Sequence, residues 1–384
     1  MNPIYEQMKT SVFERMSLAA ARSGAVNLGQ GFPDFGWPDA ILDAASEALK
    51  KGSNQYAPSR GLPALRSAIA AHYKRHFGQD LNGEHVCVTS GATEALGAAI
   101  LATIEPGDEV IIFTPAYDSY APMIRRGGGV PVEVALRPPT WRIDGDELKA
   151  AVTGKTRAVI VNNPHNPTGK LFSNEELDAI AAVAREHNLT VISDEVWEHV
   201  VLDGRRFTPI GTLPDMMERT IKVGSAGKIF SLTGWKVGWM VAPPELSQLL
   251  ARAHQFLTFS TVPNLQTAVA FGLDEGDSWL KPMRARFQRS RDRLTNGLRS
   301  AGFGVLEAQA TYFLCVDLKA SGIDVGDEEF AEAAVKDAGV AVIPLSPFAE
   351  VSPLRHLVRL CFGKRDETID AGIAAMAKAK ELFS

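Results

Sequence analysis

The chain has 384 residues, a net charge of −5 and a pI near 6.0, which gives no reason to expect nucleic acid or an anionic membrane surface as a partner. Apolar residues at 45% and charged ones at 22% are globular values, and no apolar run approaches the roughly 18–20 residues that span a bilayer. The three cysteines, Cys87, Cys315 and Cys361, sit far apart in runs such as HVCVT and VRLCF, which suits buried thiols in a reducing compartment better than disulfides or zinc ligands. The opening MNPIYEQMKTSVFERM is mixed and charged, without the apolar core of a signal peptide. Cytoplasmic placement is the expectation.

In chain order, short β-branched runs alternate with helical patterns from about residue 84 to 245. HVCVT leads into ATEALGAAILATI, and EVIIF follows the turn residues Pro106 and Gly107. RAVIVN precedes NEELDAIAAVAREHN, where Ser173 followed by Glu175 and Glu176 marks a capped helix start. TVISD, RTIKVG and VGWMVA come next. Strands this apolar and short, with helices between them, predict an α/β fold with a mainly parallel sheet buried on both faces. After residue 275 the texture changes. A long charged helix, WLKPMRARFQRSRDRLTNGLRSAG, leads into TYFLCVDL, VAVIPL, HLVRLCF and a terminal helix, which predicts a smaller α+β domain.

Ligands of open α/β sheets bind beyond the carboxyl ends of the strands. After HVCVT comes SGATEA, a small-residue turn whose N–H groups open a helix and could take an anion. After RAVIVN comes NPHNPTGK, where two prolines fix the backbone and Asn166 presents an amide. TVIS ends in Asp194, and RTIKV runs into GSAGK with Ser225 and Lys228. Lys228 and Lys236 both lie among apolar and small residues in SAGKIFSLTGWKVGW, a setting expected to depress a lysine. Taken singly, each feature reads as a plain turn or a snorkelling side chain; together on one rim they read as a site. Ser225 to Lys228 also fits the S-x-x-K of serine acyl-enzymes, but the S-D-N and K-T-G partners are missing, so serine hydrolysis is a distant alternative. An acid, an amide, an anion cradle and a lysine in an apolar setting are what pyridoxal 5'-phosphate requires.

The sequence resembles the class-I aminotransferases of pyridoxal-phosphate fold type I, of the kynurenine, glutamine and methionine aminotransferase kind. The resemblance runs through NLGQGFPDF, NQYAPSRGLPALR, TSGATEAL, PGDEV, PAYDSY, NNPHNPTGK, SDEVWEH, SAGKIFSLTGWKVGW, TYFL and HLVRLCFGK. It implies a large domain with a seven-stranded sheet over residues 37–276, a small domain over 277–384, and residues 1–36 as an arm and part of the small domain. It implies that Lys228 binds the cofactor covalently and shuttles the proton, Asp194 pairs with the pyridinium nitrogen, and Asn166 bonds the ring hydroxyl. Tyr117 would stack on the ring. Ala92, Thr93, Ser225, Lys236 and, from the partner of a homodimer, Tyr56 would hold the phosphate. Arg359, with Asn166 and the backbone of Gly31, would grip the substrate carboxylate. No metal is implied.

One position departs from the pattern. The family's DEVYEH carries a tyrosine where this chain has Trp197, and an indole N–H donates but neither accepts nor titrates. The stretch QFLTFSTVPNLQ would face the partner's pocket and has no positive charge, while Phe13 and Phe32 match pocket segments. The expected amino donors are therefore methionine, aromatic amino acids, kynurenine or glutamine, with a 2-oxo acid as acceptor. N-succinyldiaminopimelate transamination and cysteine-conjugate β-elimination are the alternatives on this fold. A non-catalytic cofactor domain sensing an effector for transcription would need a DNA-binding module.

Overall fold

The computed structural model describes residues 2–6, 8 and 10–383. Its main sheet has seven strands in the spatial order Val86–Thr89, Gly238–Val241, Thr220–Ser225, Thr190–Asp194, Thr156–Asn162, Glu109–Thr114 and Val130–Ala135. All neighbours are parallel except the two pairs made by Gly238–Val241, which runs antiparallel to both sides. The sheet is mainly parallel, as the alternation predicts. Successive side chains leave a strand on opposite faces, so Ile112, Ile160 and Ile192 join one core while Ile111, Val159 and Val191 join another. Helix Ala92–Thr103 covers the first face through Leu96 and Ile100, and helix Asn174–Glu186 covers the second through Leu177 and Ile180.

Local chemistry sets the element ends. Ser173 Oγ accepts from the Glu176 N–H, the cap that the sequence predicts, and the Glu176 carboxylate accepts from the Ser173 N–H at 2.8 Å, which makes the cap reciprocal. Val130–Ala135 is a strand that the sequence reading leaves out. Pro131 and Glu133 interrupt its apolar character, and its place at the sheet edge tolerates a missing N–H.

A second, antiparallel sheet follows in the order Ile343–Pro344, Leu357–Cys361, Phe313–Asp317 and Gly304–Val305. Helices Leu280–Ser300 and Asp366–Glu381 pack together beside it. The strand Val26–Asn27 pairs in parallel with Val340–Ala341, which ties the N-terminal segment to this part of the chain. That pairing brings Gly29 and Gly31 against the second sheet, where a Cβ on Gly31 would fall 2.7 Å from the Phe313 ring. Only glycine fits this approach.

Candidate active site

The rim of the main sheet closes a cavity of about 360 Å³, lined from below by the strand ends and from the side by the second sheet. All but one of the residues that the sequence singles out line it. The exception is Tyr56, which is 84% exposed and packs edge-on against Phe259 at 5.3 Å instead.

One end of the cavity is an anion cradle. Gly91, at φ 83°, opens helix Ala92–Thr103, and no side chain caps that end, so the first-turn N–H groups remain available. A Cβ on Gly91 would meet Lys236 Cε at 3.1 Å, and one on Gly238 would meet the Ala92 nitrogen at 2.8 Å. The two glycines keep this corner open. Ser225 lies in the wall, 8% exposed. Lys236 corrects one expectation: it is exposed on the cavity rim in a left-handed conformation, φ 53°, and not held in an apolar setting.

The middle of the cavity holds the titrating pair. Asp194 is 5% exposed, and its Oδ2 accepts from the Tyr120 hydroxyl at 2.6 Å. Burial raises this carboxyl to about 6. Burial also lowers the Lys228 amine to about 8. Lys228 Nζ donates to the Tyr312 hydroxyl at 3.1 Å and stands 4.5 Å above the Trp197 ring. Trp197 thus offers the lysine a ring face at the position where the family pattern has a phenol. Tyr117 contacts Thr93 through its hydroxyl, and burial raises that phenol.

The far end holds Arg359, 1% exposed. Its Nη1 donates to Asn166 Oδ1 at 2.8 Å and its Nη2 to the Gly29 carbonyl at 2.9 Å. Its plane lies over Phe313 at 3.9 Å and beside Phe13 at 4.9 Å. Burial lowers the guanidinium to about 10. Its Nε has no partner, and among the described residues no carboxylate forms a salt bridge with it. A buried cation without a counter-ion is costly unless a ligand brings the negative charge. Because Asn166 Oδ1 is used by Arg359, its amide N–H₂ is left to donate, while the Asn166 backbone N–H is held by Asn162 Oδ1 at 2.7 Å.

Three contributors went unassigned in the sequence. Tyr120 is the second tyrosine of PAYDSY, Asn162 ends its strand and holds the Asp194 carbonyl at 3.0 Å, and Tyr312 is the tyrosine of TYFL. The spacing of PAYDSY, which puts two tyrosines one helical turn apart, was the available signal for Tyr120.

Comparison with known proteins gives the framework a family. The model of "Aminotransferase class I and II" matches residues 23–376. The chain belongs to the class I and II aminotransferases. It is 45% identical to a protein of Mycobacterium tuberculosis described as a probable N-succinyldiaminopimelate aminotransferase, covering 97% of this chain and 96% of that protein. It is 40% identical to the methionine aminotransferase of Escherichia coli, over 99% of both. Aspartate aminotransferase of Thermus thermophilus with maleate superposes with a TM-score of 0.92 at 32% identity, over 99% of each chain. The protein is thus an aminotransferase of fold type I, a family that uses pyridoxal 5'-phosphate. The cavity fits that group on its own terms. Asp194 is a buried carboxyl that no cation among the described residues reaches by a salt bridge, the Gly91–Thr93 corner is an open anion cradle, and Lys228 is a depressed amine between them.

Proposed function

We propose that this enzyme moves the α-amino group of amino acids with apolar, aromatic or sulfur-bearing side chains to a 2-oxo acid, using pyridoxal phosphate attached to Lys228. The observation that carries the reading is Arg359, a buried guanidinium with a free Nε and, among the described residues, no carboxylate in salt-bridge contact, facing a cavity that also holds a depressed lysine. An α-carboxylate supplies the missing charge through a two-pronged contact.

Ala92 and Thr93 N–H groups, Ser225 and Lys236 would hold the cofactor phosphate, with Tyr56 arriving from a second copy. Asp194 would balance the pyridinium nitrogen, and Tyr120 would keep that carboxylate aimed. Tyr117 and Trp197 would enclose the ring, and Asn166 would donate to its hydroxyl oxygen. Bound there, pyridoxal phosphate supplies an electron sink for charge released at the substrate α-carbon. Arg359 and Asn166 fix the carboxylate, which turns the Cα–H bond toward Lys228. With a pKa of about 8, the Lys228 amine is unprotonated in about a tenth of molecules at pH 7, so it accepts the Cα proton and returns it elsewhere on the same face. Phe13, Phe32 and Phe313 line the substrate end and restrict water there.

Specificity follows from charge. The cations lining the cavity are Lys228, Lys236 and Arg359, and each has a use at the cofactor or the α-carboxylate. Lys364, beside Phe32, is tied to the Phe32 carbonyl at 2.8 Å. A short dicarboxylic donor would therefore bury its distal charge unpaired. The relative at 45% identity favours a second reading, in which a succinylated diamino acid extends its far end toward the cavity mouth. The test compares kcat/KM for methionine, phenylalanine, aspartate and N-succinyldiaminopimelate at one fixed 2-oxo acid. Methionine or phenylalanine ahead of aspartate by tenfold supports the proposal. Aspartate ahead by tenfold removes it, and N-succinyldiaminopimelate ahead by tenfold selects the second reading.

The same proposal takes residues 37–276 as the cofactor-binding domain and 277–384, with the 1–36 arm, as the smaller one. The buried, unpaired thiols of Cys87, Cys315 and Cys361 support a cytoplasmic setting. Among the described residues no helix is long and apolar enough to cross a membrane.

A further inference from the structure

The hydrogen-bond partner of Lys228 is a residue to which the reading above gives no part. Tyr312 is 1% exposed, and its hydroxyl donates to the Gly31 carbonyl at 2.6 Å while accepting from Lys228 Nζ at 3.1 Å. A phenol has one proton. Since that proton is committed to Gly31, the oxygen can act toward Lys228 only as an acceptor. Three rings hold it in place: Trp197 stands perpendicular to it at 4.4 Å, Phe313 lies at 4.9 Å and Phe287 at 5.7 Å. Trp197 supplies no oxygen of its own. The carbonyl that orients Tyr312 belongs to the loop of Gly29 to Gly31, which Arg359 also grips through Gly29.

An acceptor fixes an amine in a particular sense. A neutral Lys228 amine that points an N–H at Tyr312 must turn its lone pair elsewhere, and the open direction is the cavity. We propose that Tyr312 is a positioning residue of the amino transfer, the fixed acceptor that holds the Lys228 amine whenever it is detached from the cofactor and aims its lone pair at the substrate Cα–H. The Cα proton goes to the Lys228 lone pair and is returned from it, and the Tyr312 proton stays on the phenol oxygen, donated to the Gly31 carbonyl throughout. The same geometry links substrate capture to the base, because a carboxylate on Arg359 steadies the loop whose carbonyl orients the phenol. This inference rests on the proposed role of Lys228.

The experiment uses Tyr312→Phe in the cofactor-loaded enzyme, with 3-fluorotyrosine installed at position 312 as a shape-preserving second variant and melting curves on both. Three readouts are taken. First, the visible absorbance of the loaded protein should persist in the variants; if the wild type has no such band, the proposed function fails and Tyr312 is not at issue. Second, kcat should fall at least tenfold while the KM for methionine stays within threefold, and the isotope effect with Cα-deuterated methionine should grow. Third, the pH dependence of cofactor uptake by the cofactor-free chain, which reports the Lys228 amine without turnover, should shift to lower pH. An acceptor favours the protonated amine, and its removal takes that support away. The other groups that act on Lys228, namely Cys361, Arg359, Asp194 and Lys236, are unchanged in the variant. Fluorotyrosine, a weaker acceptor, should give the same changes at smaller size. Wild-type kcat and an unmoved uptake profile in both variants, with or without a lower melting temperature, would overturn the inference and leave Tyr312 a packing residue.

Discussion

Asp194 carries a charge that the folded chain alone does not balance. Its carboxyl is raised from 3.8 to about 6, first by burial, with Tyr120 and the Val196 N–H opposing. A carboxyl raised in this way stabilises the fold fully below its unfolded value of 3.8 and loses that contribution as pH climbs through about 6. The size is about 3 kcal/mol. The cofactor-free chain should therefore lose more stability between pH 4 and 7 than its Asp194→Asn variant, and loading the wild type with pyridoxal phosphate should remove the difference. Urea midpoints across that range check it; parallel curves for the two cofactor-free proteins would contradict it. Arg359 is the second buried charge at this scale, with no salt-bridge partner among the described residues and the Asp118 carboxylate acting only at longer range. Arg359→Lys keeps the charge but loses the planar fork, and should raise KM for amino and oxo acids alike by about tenfold or more, from bonds worth about 1.5–3 kcal/mol each. Steady-state kinetics with both substrates decide it.

Between the elements lies a charge cluster that the sequence did not advertise. Lys222, in the middle of strand Thr220–Ser225, is 3% exposed and pairs with Glu195 at 2.8 Å and Glu198 at 2.6 Å. Tyr73 donates to Glu198 at 3.1 Å, and Trp239 donates to Tyr73 at 2.7 Å. His72 and His199 face each other beside it, Nε2 to Nε2 at 2.7 Å. That spacing suits a shared proton, since two nitrogens on one tetrahedral metal sit roughly 3.3 Å apart. Two carboxylates against one ammonium leave an excess negative charge, and burial pushes Glu198 up to about 7. Lys222→Met should cost about 3–5 kcal/mol at pH 8 and less at pH 5, where Glu198 is protonated; chemical denaturation at the two pH values checks the sign. The cluster also shows what could be read beforehand. The Ser173 cap and the strand-end positions of Asp194 and Lys228 were legible because capping and strand-end rules act over a few residues. Lys222 was not, since RTIKVG looks like any strand with a lysine facing solvent, and its carboxylate partners lie on a neighbouring strand's loop. Val130–Ala135 was missed for the same reason: only the edge position makes Pro131 acceptable. Lys236 was misjudged because apolar neighbours in sequence, Trp235 and Val237, say nothing about where its own chain points.

On the scale of the whole molecule, the chain leaves apolar groups uncovered near the expected partner segment. Tyr56, Phe256, Phe259 and Val262 are 84%, 86%, 45% and 54% exposed, and Tyr56 does not reach the cavity of its own chain. Both facts fit a homodimer in which Tyr56 serves the neighbouring phosphate. Light scattering should give twice the chain mass, and mixing Lys228→Ala with Tyr56→Ala should restore activity above either variant alone, because each hybrid then contains one intact site. No recovery after verified subunit exchange would place Tyr56 outside the site. Everything at the larger scale depends on the chemistry of one amine, so the most direct measurement is the visible absorbance of the purified, cofactor-loaded protein. The wild type should show a visible band that methionine bleaches and a 2-oxo acid restores, and Lys228→Ala should lack it. A wild type without the band, or a band indifferent to both methionine and the loss of Lys228, would contradict the assignment of Lys228 as the residue that carries pyridoxal phosphate.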